Sequence, residues 1–345
     1  MRDRRAFLGG LAASTLAPSL SWAEIGAPAA LSAARAPDGS FHLAGLRRDG
    51  TLAFTLPLPA RGHAAAAHPH RAEAVHIARR PGTFAMVIDC AAGTIRHRLA
   101  APKGRHFYGH GAFTADGTTL LTTENDIETG AGRIGIWAVA EGYRRVGDLP
   151  SGGIGPHEII RLPTGGFAVA NGGIRTHPET GREKLNLGTM RPNLAILDAH
   201  GALQEVTDST PHQSSLRHIA AGPDGAVLCG YQWQGDIFDA PPMLAIWRDG
   251  QLTEIDLGPA VHRRMKAYVG SVAWGAQGWS ASAPRGGVIV TAGAAHAMPD
   301  GCGLAALAGE TLVTDGLGQV HALRGAGLER RGTHALAFDN HLVSI

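Results

Sequence analysis

Cysteine is scarce in this chain of 345 residues: Cys90, Cys229 and Cys302 are the whole supply. An odd number without a CxxC pair excludes a disulfide framework and a CxxCH haem-attachment motif, and leaves buried thiols as the expectation. Charge is thin as well, at 17% of residues with a net of +2, and no Arg/Lys run is interleaved with aromatics, which make up only 6%. That excludes the basic footprint of a nucleic-acid-binding protein. No apolar run approaches the roughly 18 residues that a spanning helix needs. A GxSxG elbow, an HExxH helix and a P-loop are all missing, so the common signatures of hydrolases and nucleotide enzymes are absent. No Ser/Pro-rich linker or charge block divides the chain.

What the chain does have is glycine, histidine and a period. The 48 glycines and 20 prolines are spread evenly while 44% of residues remain hydrophobic, which fits many turns between short strands rather than disorder. The stretch YGHGAFTADGTTLLTTEND, residues 108–126, sets a pattern of histidine, short apolar run, turn and second apolar run. His110 lies six residues before Asp116 and His218 six before Asp224-Gly225, and His157 holds the corresponding place before Thr164-Gly165-Gly166, seven residues on. His63 before Pro69-His70, Ser271 before Gln277-Gly278, Gly303 before Gly309-Glu310 and His334 before Asn340-His341 complete seven copies. Further runs such as FAMVID, IGIWAV, LAILDA and LAIWRD, each followed by a turn, supply a second half to the repeat. Four short strands at a spacing near 47 residues, with no helical periodicity, are the signature of a propeller blade.

The expected fold is therefore all-β, a seven-bladed propeller closed by its two ends. Two strands of the last repeat, in HALAFDNHLVSI (residues 334 to 345), are expected to pair with two early strands, FHLAGL and TLAFTLPLP (residues 41 to 59). Closure of this kind removes the two exposed sheet edges of an open array. Ahead of the propeller, Arg4-Arg5-Ala6-Phe7-Leu8, a small apolar region and Ser21-Trp22-Ala23 read as a twin-arginine export signal over residues 1–23. The expectation is one propeller domain over 24–345, periplasmic and without a stable membrane span.

In a four-stranded blade the loop leading into the inner strand and the loop between strands two and three open on the same face. His63, His110, His157, His218 and His334 are thus expected to form a partial ring at one mouth of the central channel. Imidazole is the commonest ligand for zinc, copper and iron. A histidine before an inner strand can equally lock one blade to the next by hydrogen bonding through both ring nitrogens. The second loops carry the remaining candidates: Glu124, Asn125 and Asp126 in blade two, and Asn171, His177, Arg182, Glu183, Lys184 and Met190 in a long insertion of blade three. Gln232 of blade four and Arg285 of blade five join them. Carboxylates beside imidazoles suit iron, manganese or zinc, which makes Glu124, Asp126 and His177 candidate co-ligands. Asn125, Asn171, Arg182, Glu183, Lys184, Gln232 and Arg285 are candidates for contacting a partner or ligand.

The segments GRHFYGHG, TENDIETGAGRIGIW, GGIGPHE, VANGGIRTHPETGREKLNLGTMRPNL, SSLRHI and APRGG resemble the exported family called domain of unknown function 1513. The resemblance covers essentially the whole chain after residue 23, with Ala283 where family members often carry serine. It implies a propeller similar to quinoprotein amine dehydrogenase and a periplasmic role linked to iron or another first-row transition metal. Imelysin-like or di-haem exported proteins are the partners it implies. No catalytic residue is carried over. Three readings follow: a protein that binds a redox metal, a docking scaffold, and a metal-dependent hydrolase or oxidoreductase with a carboxylate as general base.

Overall fold

A computed structural model describes residues 20–181, 183–239, 241–325 and 327–345. Short runs of Val, Ile, Leu, Ala and Trp between glycine-bearing turns form seven four-stranded antiparallel sheets. The inner strands of blades one to six are Gly62–Ala67, Arg105–Phe113, Pro156–Arg161, Ser214–Ala221, Ser271–Gly275 and Gly301–Leu307. Type and spacing of these elements follow the sequence period.

Closure differs in its arithmetic. The seventh blade takes one strand from the C-terminal end, Ala337–Ser344, and three from the N-terminal end, Ala30–Arg35, Phe41–Leu46 and Leu52–Leu58. The expected two-plus-two is thus one-plus-three. Ala337–Ser344 is a single strand with a register shift where it pairs with Ala30–Arg35, between Ser32 and Ala34.

Neighbouring blades are held by apolar side chains sandwiched between their sheets. Val75, Ile77 and Val87 of blade one meet Phe107, Leu120 and Trp137 of blade two. Leu121 and Ile134 of blade two meet Ile159, Phe167 and Val169 of blade three. At the seam of the ring, Leu312 and Val320 of blade six pack on Ala30, Leu46, Phe338 and Leu342 of blade seven. All three cysteines are buried free thiols, as their number and spacing implied.

Residues 1–19 of the expected export signal, with its arginine pair, lie outside the described residues. Trp22 is buried between blades seven and one, its indole N–H donating to the His68 carbonyl at 2.8 Å. Cleavage after Ala23 would remove that indole from the packed seam.

His334 is a blade latch. It precedes the closing strand, and its Nε2 donates to the Gly50 carbonyl at 2.7 Å. Replacing it with Ala should cost about 1 kcal/mol, the net worth of one partly exposed hydrogen bond. Urea unfolding should register that loss.

Candidate functional site

Four of the inner strands share a defect at one place. Their pairing with the second strand shifts register between Gly62 and Ala65, between Phe107 and Gly111, between Pro156 and Glu158, and between Leu216 and His218. An unpaired residue in a strand breaks the strict alternation of faces and re-aims side chains. Here the shifts fall at or beside His63, His110, His157 and His218. The shift in the closing strand falls at His341, opposite the Ser32/Ala34 irregularity.

These five imidazoles meet at the axis. Ring centroids lie 5.0 Å apart for His63–His110, 4.9 Å for His110–His157 and 5.0 Å for His157–His218. His341 sits among them, 4.3 Å from His63, 4.5 Å from His110 and 5.2 Å from His218. Gly109 makes room for the approach: it has φ +104°, and a β-carbon there would overlap Cδ2 of His63. Gly109→Ala should therefore destabilise the protein by roughly 2–3 kcal/mol through backbone strain and displace His63. Thermal unfolding and the histidine ring NMR signals would report the two effects.

Glu158 completes the cluster. Its carboxylate lies 3.4 Å from His218 Nδ1 and 3.7 Å from His110 Nδ1, and accepts from the Ile219 amide at 3.0 Å. Burial pushes its pKa up to about 7, against the opposing pull of His341 and the Ile219 N–H. Burial lowers every imidazole, helped by repulsion from neighbouring rings at His63, His110, His157 and His341 and from Arg217 at His218: His63, His110 and His157 fall well below the usual value, His218 to about 3 and His341 to about 4. The rings are thus neutral near pH 7, which is the form that binds metal.

Two donor sets have their ligand atoms within 4.8 Å of one another, His63–His110–His341 and Glu158–His218–His341. A first-row metal makes bonds of about 2.0–2.2 Å to such atoms, so modest side-chain rotations close either set. Latching does not consume the nitrogens. His157 Nδ1 donates to the Arg217 carbonyl at 2.9 Å, but His110 Nε2 is buried without any partner.

Other expected ligands are not brought here. His334 faces Gly50, as described, and its place is taken by His341. Glu124 is buried within blade two, bonded to Thr122 at 3.1 Å and ion-paired with Arg145 at 2.7 Å. Asp126 caps its own turn by accepting from the Thr129 amide and hydroxyl. His177 caps a short 3-10 turn, Pro178–Thr180, through Nδ1. Met190 is buried and belongs to neither donor set.

The loop candidates divide in two. Lys184, Gln232 and Arg285 line a chamber of about 550 Å³ whose floor is His63, His157, His218 and His341. Asn125 instead bonds His106 and the Asp126 carbonyl, and Asn171 is tied to Ser151 and Asn193. Glu183 is exposed and bonds through its amide to Thr180, and Arg182 lies outside the described residues. The chamber also draws in Tyr108, Arg80 and Arg217, which no repeat pattern marks. Glu158 had one signal, its place beside His157 in GGIGPHE.

A seven-bladed propeller with a polyhistidine, carboxylate-bearing axial site is the class of protein these features define. The chain belongs to a family described as protein of unknown function (DUF1513), whose model matches residues 56–345. No curated protein matches it. Among solved structures it is similar in fold to streptogramin B lyase, at 12% identity and a TM-score of 0.53, over 90% of this chain and 94% of the other.

Proposed function

We propose that this protein binds a first-row transition metal, with iron the first candidate, at the axial cluster of His63, His110, His157, His218, His341 and Glu158. The observation that carries the reading is convergence: five neutral imidazoles from five blades gather at one place, and two sets of three donors among them and Glu158 lie within 4.8 Å of one another. A bound ion would supply redox or Lewis-acid chemistry, and the chain's own residues would fix its coordination. The role belongs to an exported, iron-linked system, as the family resemblance implies.

Metal analysis of protein purified from the periplasm, followed by titration of the metal-free form with Fe(II), Zn(II) and Cu(II), tests the reading. About one equivalent of metal is the expected result. Protein that purifies empty and takes up none of the three ions would end it.

Docking is the second reading, and one feature favours it. Ile237 and Phe238 in the second loop of blade four are 51% and 88% exposed, an apolar step three residues along the chain from Gln234 of the chamber wall.

A further inference from the structure

The wall of the chamber has a chemistry of its own. Six cationic side chains line it, Arg61, Arg79, Arg80, Lys184, Arg217 and Arg285, against two carboxylates, Asp300 and Asp339. Asp339 is engaged by Arg61 at 2.9 Å. Among the described residues no carboxylate pairs with Arg80, Arg217, Arg285 or Lys184.

Arg217 is the telling member. It is only 5% exposed, at the level of the histidine floor, and its Nε has no hydrogen-bond partner. Arg80 presents a buried Nη1 without a partner. The Tyr108 hydroxyl, from a side chain 1% exposed, is unpartnered too. Burying an unpaired guanidinium costs several kcal/mol, and an anion that pairs with it recovers much of that cost. Arginine presents its N–H groups as a planar fork that matches a carboxylate or phosphate. At the rim, Arg285 is stacked 4.3 Å over the Tyr268 ring, and Lys184 donates to Gln234 at 2.6 Å.

We propose that this chamber binds a small molecule bearing two or more oxyanion groups, gripped by Arg217, Arg80 and Tyr108 at its base and by Arg285 and Lys184 at its rim. A bare cation would be repelled on its way to the histidines through such a wall. The anion therefore acts as escort and co-ligand, so the metal reaches the site as an anionic chelate. This last step rests on the metal-binding reading. Anion recognition by the arginines does not.

Calorimetric titration of the metal-free protein with citrate, inorganic phosphate and pyrophosphate, at matched ionic strength against sodium chloride, separates the two. Saturable binding of at least one probe is expected, weakened tenfold or more by Arg217→Gln and several-fold by Arg285→Gln, whose exposed position makes it safe for folding. Citrate binding without phosphate binding assigns a polycarboxylate; the reverse assigns a phosphate compound. Chloride-like behaviour of all three probes, or affinities indifferent to both substitutions, overturns the proposal. Anion binding by a protein that takes up no metal would leave the chamber standing and remove only the escort role.

Discussion

Replacing His110 and His341 together by Ala should reduce metal affinity by at least about a hundredfold, since the pair takes two of three donors from one set and one from the other. The metal-free double variant should remain within about 2 kcal/mol of the parent. Both rings lie at the axis rather than in the apolar seams between blades, and one of them has a nitrogen with no partner to lose. Equilibrium metal competition and urea unfolding of the metal-free forms measure the two quantities. Undiminished affinity would sink the metal site. Equal losses of affinity and of metal-free stability would return these histidines to the role His334 plays.

Acid should unfold the metal-free protein steeply. His76, His110, His157, His218 and His341 are all buried with lowered pKa values, burial being the first cause in each. Below the unfolded value of 6.5 the unfolded chain binds protons that the folded chain refuses. Their contribution is fully present above pH 6.5 and drains away as pH falls toward about 4, where His76 and His341 protonate in the fold. Each such histidine costs about 1.4 kcal/mol per pH unit within that window. Glu158 works the other way, because its pKa is raised to about 7 and folding takes up a proton between that value and its ordinary 4.5. The proton gained by Glu158 offsets only one of those refused, so the net slope remains several kcal/mol per unit. Melting temperatures at pH 7.5, 6 and 5 should fall progressively faster, and His76→Gln should flatten the trend without touching the metal site. A melting temperature flat across that range would refute the buried neutral state.

The blade count was legible because Asp-Gly and Gly-Gly turns recur at a fixed distance from apolar runs. Turns are local chemistry, and sequence shows local chemistry well. Closure was misjudged by one strand on each side. Ala30–Arg35 reads ALSAAR, with few of the β-branched or aromatic residues that announce a strand, and earns its place only by being sandwiched between its neighbours. The same error misplaced the fifth histidine. Counting back six or seven residues from a turn works for His63, His110, His157 and His218. Around Asn340-His341 there is no turn, only an irregular stretch of a continuous strand, so the count stopped at His334. Glu124 and Asp126 drew attention as carboxylates on the right face, but Arg145 and the Thr129 turn satisfy them locally. Arg80, Arg217 and Tyr108 occupy different repeat positions in different blades. Only the ring brings them to one wall.

The strand that shuts the ring also carries His341, the imidazole nearest to both His63 and His110 and a member of both donor sets. Six blades can form and stack while the cluster still lacks its central donor. Ring closure and completion of the donor cluster are consequently a single event, and on the proposed metal site uptake of an ion would certify correct assembly. A chain that stalls open, or that seats its last strand in a slipped register, has no site with which to capture an ion.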